Sequence, residues 1–169
     1  MKRLLIFLSF FLISESFANI QRPRFELRPT LKGEFVSLAS KAKDFHKIIQ
    51  EGGNKESLEK ESLATNQIIS KLYAQVSSIP HLHQRLHSYK LLQSIEENLE
   101  VLKSQGINNK KVIKTFFTSF FEMVEVYNLK KDIVGKIFYC SKDKSTWFQV
   151  GNKPRNPINP DLKNCGKRL

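Results

Sequence analysis

The residues with the clearest chemical potential are the two cysteines, Cys140 and Cys165, which lie near the C-terminal end of the chain. Two thiols can form a disulfide, bind a soft metal ion or supply a reactive thiolate. The sequence has no Cys-x-x-Cys redox motif. The first 18 residues have the pattern of a secretory signal, and two cysteines in an exported protein most simply pair with each other. We therefore predict a Cys140–Cys165 disulfide, which would stabilise the fold by about 3.5 kcal/mol in the chain-entropy treatment.

A second group with ligand chemistry is the histidine cluster His81, His83 and His87. His83 and His87 are four residues apart, so on a helix they share a face and both could reach one copper or zinc ion. His81 points elsewhere, and no Asp, Glu or Cys lies nearby in the sequence to complete a ligand shell. His46 is near the end of the first predicted helix and could approach them. Solvated surface histidines are the favoured interpretation, and a metal site at the three clustered residues is the alternative.

No residue pattern in the sequence is typical of an enzyme active site. Glu96, Glu97 and Glu100 fall on one charged helix face, where they form ordinary local pairs. Ser77 and Ser78 lack the glycines of a nucleophile elbow. A glycine-rich phosphate loop is also missing from the sequence. We therefore predict a non-enzymatic protein.

The first 18 residues, MKRLLIFLSFFLISESFA, have the pattern of a secretory signal peptide. A short basic start precedes an apolar run that is too short to span a bilayer, and small residues precede the expected cleavage after Ala18. No later stretch is apolar and long enough to cross a membrane. We expect residues 1–18 to be removed and the mature chain, without a transmembrane segment, to be exported. The periplasm is the favoured location, with the extracellular space as the alternative.

The chain is strongly basic, with a formal net charge of +12. The excess is concentrated from Lys130 onward, where there are ten basic residues and three acidic ones. Such a tail favours acidic partners, either an acidic envelope component or an acidic face of an envelope protein. The plainer interpretation is a solvated surface that keeps the protein in solution. A nucleic-acid partner is disfavoured because an exported chain without interleaved exposed aromatics does not fit that class.

Hydrophobic periodicity divides the mature chain into helical and non-helical parts. Residues 19–30 contain two prolines and predict an extended arm. In residues 31–129, apolar residues recur every three or four positions along four segments, one of which includes Leu82 and Leu86. Four amphipathic helices joined by short loops predict an antiparallel four-helix bundle, because none of them can bury its apolar face alone.

The remaining residues, 130–169, predict a small β-hairpin and a tail. Alternating and β-branched residues predict strands over 133–140 and 146–150. The glycine and proline residues from 151 onward predict a segment without regular structure. Because an isolated hairpin is marginally stable, we expect the disulfide and packing of Trp147 to hold this part of the chain.

The C-terminal residues also resemble a known family. In order, the matching positions are Tyr139, Cys140, Trp147, Asn156, Pro157, Cys165 and Gly166. They are similar to the end of an uncharacterised bacterial periplasmic domain, which occurs alone or fused to copper/silver efflux adaptors of the membrane-fusion type. Residues 112–129 also resemble the last helix of that family.

The resemblance implies an envelope protein with this fold more strongly than it implies a metal site. Family members have Pro-Met after the first cysteine, where this chain has Ser141 and Lys142, and a methionine where it has Leu162. Those methionine thioethers are the ligands that suit monovalent copper. We therefore expect an exported, non-enzymatic binding or accessory protein of the envelope. A copper- or silver-type binding or efflux accessory protein is the alternative.

Overall fold

The computed structural model describes residues 25–162 and 164–169, and in this part of the chain four helices precede three short strands. The helices are α1 (Pro29–Gln50), α2 (Lys55–Val76), α3 (Leu82–Gln105) and α4 (Lys110–Val126). The strands are β1 (Lys136–Cys140), β2 (Ser145–Gln149) and β3 (Lys167–Arg168). The predicted fold class, a four-helix bundle followed by a disulfide-clipped hairpin, is confirmed. The predicted signal peptide lies outside the described residues.

Local side-chain chemistry sets where the helices begin. The Asn54 side chain accepts a hydrogen bond from the Ser57 N–H at 2.8 Å, and Asn109 caps α4 in the same way. Each cap satisfies backbone donors that a helix start otherwise leaves unpaired. Pro29 occupies the first turn of α1, where its missing N–H has no cost. The helix therefore begins two residues before the bundle boundary predicted at residue 31.

Each helix packs against its neighbour in the chain, and α4 returns to pack against α1. Phe45 of α1 lies against Phe116 of α4, with ring centroids 4.8 Å apart, while Phe35 lies 4.5 Å from Tyr127 at the other end. Residue numbers rise along α1 as they fall along α4, so the two helices are antiparallel. Among the helices of residues 25–162, none combines the length and apolar character needed to cross a bilayer.

The β-sheet is antiparallel with the order β2-β1-β3, and β2 is its contact with the bundle. All five residues of β2 are buried, and the strand packs against both α1 and α4. The Phe148 ring lies 6.5 Å from both Phe117 and Phe120, and Trp147 stacks on Phe138 at 5.8 Å. The hairpin therefore shares one core with the helices, and the boundary predicted at residue 130 marks a change of secondary structure within that core.

The strands differ from the prediction in their bounds and in their number. The first begins at Lys136 instead of residue 133, because Gly135 has a φ of 125° and breaks the extended run. A Cβ at Gly135 would lie 3.3 Å from the Gln149 carbonyl oxygen, so glycine suits this crossing. The second strand excludes Val150, which is 66% exposed. The prediction of no regular structure after residue 151 was wrong, because β3 pairs with the edge of β1.

The apolar stripe predicted for the start of α3 was also wrong. Leu82 and Leu86 are 58% and 51% exposed, whereas Gln84 and Ser88 are buried. The Gln84 side chain donates to a backbone carbonyl of the arm before α1, and Ser88 hydrogen-bonds the buried hydroxyl of Tyr127. This end of α3 therefore faces polar partners, which hydrophobic periodicity does not reveal.

The shared core generates a prediction about Phe148. Replacing it with alanine leaves a cavity against α4, so Phe148→Ala should lower the free energy of unfolding by about 3–5 kcal/mol. Because the hairpin and helices share the core, the helical far-UV circular dichroism signal should be lost at lower urea concentration. Val150→Ala, at an exposed neighbouring position, is the control and should change stability by less than about 0.5 kcal/mol. A helical transition unchanged in Phe148→Ala would contradict the shared core.

Candidate functional site

The predicted disulfide is present and joins Cys140, at the end of β1, to Cys165, just before β3. The two Cα atoms are 5.1 Å apart, and Cys140 is fully buried. Both cysteines of the chain are therefore committed to this bond. The disulfide also brings the C-terminal residues back to the edge of β1, which explains why β3 forms there.

The other residues of the family-like motif have structural positions around this bond. Trp147 is fully buried, and a Cβ at Gly166 would lie 3.0 Å from its ring and 2.5 Å from Pro154 Cβ. Glycine at this position therefore lets the tail pass close over the tryptophan. Tyr139 lies on β1 opposite Lys167 of β3.

Asn156 holds the loop after β2 to the hairpin turn. Its buried side-chain amide donates to Asp143 Oδ2 at 2.9 Å and to Ser145 Oγ at 3.2 Å. Its side-chain oxygen accepts from the Ile158 N–H at 2.9 Å. Pro157, the next residue of the motif, is buried as well. The Asn-Pro pair therefore fixes a loop conformation, since a buried amide must satisfy its hydrogen bonds within the protein.

The histidine cluster packs against the arm. His81 is exposed at the start of α3, whereas the rings of His83 and His87 lie 6.0 and 5.7 Å from the Phe25 ring. Partial burial lowers the pKa of His87, an effect opposed by the charge of Glu122 on α4. His46 does not join the cluster and instead contacts the loop after β2.

Within the part of the chain that the structure describes, the residues do not fit a copper or zinc site. Both thiols are in the disulfide, so Cys140 and Cys165 do not offer thiolates to a soft metal ion. Across residues 25–162 and 164–169, no three His, Cys, Asp or Glu side chains converge as metal ligands. His83 and His87 share a neighbour in Phe25, but two imidazoles are fewer ligands than structural zinc sites use.

The arrangement best suited to bind another molecule is a cleft of about 970 Å³ between the end of α1 and the loop after β2. We call it the basic cleft, and residues 150–155 the cleft loop. Its basic lining residues are Lys43, Lys47, Lys153 and Arg155, and its described acidic lining residue is Glu51. The volume is at the upper end of the range for small-ligand sites. The charge excess favours an anionic ligand.

A second cleft of about 970 Å³ lies beside the disulfide. Lys142 and Lys167 line it together with Asp161, and the tail that forms one wall ends at Leu169. Its basic excess is smaller than that of the basic cleft. The basic cleft is therefore the stronger candidate.

The cleft loop is held from below by the side chain of Gln149, the last residue of β2, which is 4% exposed. Its oxygen accepts from Trp147 Nε1–H at 2.8 Å and from the Arg155 N–H at 2.9 Å. Its nitrogen donates to the carbonyls of Gly151 and Lys153 at 3.0 and 2.7 Å. All four hydrogen-bonding positions of the amide are therefore used, and the loop conformation is fixed.

The same loop is held from the side by α1. His46 Nε2–H and Gln50 Nε2–H donate to the Arg155 carbonyl oxygen at 2.9 and 3.1 Å. Burial lowers the pKa of His46, although the bond to the carbonyl opposes this, and the Arg155 charge lowers the pKa further. The imidazole is thus favoured in its neutral form, with Nε2 carrying the proton that the carbonyl accepts.

Sequence reasoning did not find Gln149, His46 or Arg155 as a group. Their mutual contacts span up to 109 residues of sequence, as between His46 and Arg155. A basic, proline- and glycine-rich segment after a strand was the available signal, and it indicated a loop without indicating its partners. Compared with protein-family models, curated proteins and solved structures, the chain matches none.

The environment of His46 gives a prediction about pH. Its pKa in the folded protein is lowered from the usual 6.5, so the fold favours the neutral ring. This contribution to stability is fully present above about pH 6.5 and is lost as the pH falls through the lowered value. In His46→Gln the amide can still donate to the Arg155 carbonyl but does not titrate. Urea unfolding at about pH 7.5 and about pH 5.5 should show a smaller acid loss of stability in the variant. An equal loss of stability at acid pH in the wild type and the variant would contradict the role of His46 protonation.

Proposed function

We propose that this chain is an exported, non-enzymatic binding protein of the cell envelope, and that it holds an acidic envelope component in the basic cleft. The observation that carries the proposal is the convergence of basic residues from α1 and from the cleft loop around one concave surface. A concave site with excess positive charge raises the local concentration of anions. Salt screens the charges of such a site less than those of a flat surface.

The cleft is built for binding more than for chemistry. Among the described lining residues the histidine is His46, whose Nε2–H donates a hydrogen bond to the Arg155 carbonyl. Lysine and arginine side chains supply charge and hydrogen-bond donors, which position an anion without activating a nucleophile. These features support a binding role for the cleft.

Export is supported by the residue pattern of the first 18 residues and by the disulfide. A disulfide between Cys140 and Cys165 is typical of proteins in oxidising compartments, among them the bacterial periplasm. We propose the periplasm as the location. Mass spectrometry of protein secreted by a host cell should find Asn19 at the mature N-terminus, and retention of Met1 would count against export.

Binding can be tested with two short anionic probes, inorganic tripolyphosphate and the peptide tri-glutamate, titrated calorimetrically into the mature protein. We expect binding of at least one probe, weaker at about 200 mM salt than at about 20 mM because the cleft charges are partly screened. The variant Lys47→Gln with Lys153→Gln removes two cleft charges and should weaken binding by about tenfold, which is about 1.4 kcal/mol.

The matched control is Lys60→Gln with Lys71→Gln, which removes the same charge from exposed positions on α2 that do not line the cleft. Its affinity should stay within about twofold of the wild type, because salt screens exposed charges that do not contact a ligand in the cleft. Equal weakening in both double variants would show that net charge, not the cleft, attracts the probes. No binding of either probe by the wild type would overturn the proposed function.

A further inference from the structure

Of the two basic residues in the cleft loop, Arg155 has both its backbone N–H and its carbonyl hydrogen-bonded to side chains. Its N–H donates to Gln149 Oε1 at 2.9 Å, and its carbonyl accepts from His46 and Gln50 at 2.9 and 3.1 Å. The preceding residue, Pro154, packs against Gly166 of the tail. The Cα of Arg155 is thus fixed relative to α1, β2 and the tail together.

The side chain of Arg155, by contrast, is exposed at the cleft. Lys43 Nζ lies 2.8 Å from Asp44 Oδ1, and Lys47 Nζ lies 4.0 Å from Glu51 Oε1. In residues 25–162 and 164–169, no carboxylate forms a salt bridge with Arg155. The Arg155 charge also lowers the pKa of His46, which places that charge near the cleft lining. An exposed cation on a hydrogen-bonded backbone, without a salt-bridge partner and at a concave surface, is suited to an incoming anion.

We propose that Arg155 is the residue that determines specificity in the basic cleft, and that the ligand presents a carboxylate or phosphate group bound by two guanidinium N–H groups at once. This inference rests on the proposed function and adds to it the chemical group that is recognised. The guanidinium fork matches two oxygens of one oxyanion, whereas a lysine ammonium acts as a single point charge. Lys47 and Lys153 line the same cleft as Arg155 and add electrostatic attraction that depends little on the orientation of the ligand.

The hydrogen-bonded backbone of Arg155 makes this recognition selective. A long side chain loses conformational freedom when it is immobilised by a ligand, at a cost of about 0.5–1.5 kcal/mol. A fixed backbone removes part of the ordering that a mobile loop would require. The neighbouring Lys153 has a fixed carbonyl as well, bound by Gln149 Nε2, but its side chain lacks the planar fork.

The decisive variant is Arg155→Lys, which keeps the charge and removes the fork. Calorimetric titration with tripolyphosphate and with tri-glutamate should show an affinity about tenfold weaker than wild type for each probe that the wild type binds. Lys153→Gln, which removes a charge from the adjacent wall, should cost about threefold or less, under about 0.7 kcal/mol. Arg155→Gln should lose at least as much affinity as Arg155→Lys. The two probes separate a phosphate source from a carboxylate source.

The outcomes distinguish this inference from the proposed function. If the Lys47/Lys153 double variant loses affinity but Arg155→Lys binds within about twofold of wild type, the cleft binds anions without a specific role for Arg155. If the wild type binds neither probe, the proposed function and this inference fail together. Urea unfolding midpoints equal to wild type show that the variants are folded, as expected for an exposed side chain.

Discussion

The buried side-chain amide of Gln149 must satisfy two donors and two acceptors without water, and this constraint sets the shape of the cleft loop. An unpaired amide at such a position would cost about 1–3 kcal/mol for each unsatisfied group. In the cleft loop, the carbonyls of Gly151 and Lys153 accept hydrogen bonds from this amide, and the N–H of Arg155 donates one to it. The backbone around Arg155 is therefore determined by a residue in the core, although its side chain is at the surface.

That arrangement depends in turn on how the strand is inserted into the bundle. Because β2 is buried and packs against both α1 and α4, Gln149 at its end lies beside the last turns of α1. His46 and Gln50 then reach the Arg155 carbonyl from the helix side. The disulfide brings the tail back over Trp147. Gly166 lies so close to the Trp147 ring and to Pro154 that a larger residue would not fit there. Core packing, a covalent bond and two sets of hydrogen bonds thus hold one loop in place.

Much of the fold could be predicted from the sequence, because helix periodicity and a single cysteine pair are local or self-evident signals. The four helices and the Cys140–Cys165 bond are examples. The polar face at the start of α3 could not be predicted, since Gln84 and Ser88 are buried by partners distant in sequence. The candidate site was missed for the same reason. Its basic charge was visible in composition, but the contacts that converge on Arg155 come from α1 and β2 and exist only in the folded chain.

Amide hydrogen exchange of the Arg155 N–H tests most directly whether Gln149 fixes the loop. Gln149→Met keeps a side chain of similar length in the core but removes all four hydrogen bonds. The account predicts that Arg155 exchange is slow in the wild type and about tenfold or more faster in the variant, while the amides of β1 that pair with β2 stay protected. Unchanged protection at Arg155 in a folded Gln149→Met protein would contradict the account, because the loop would then hold its conformation without that amide.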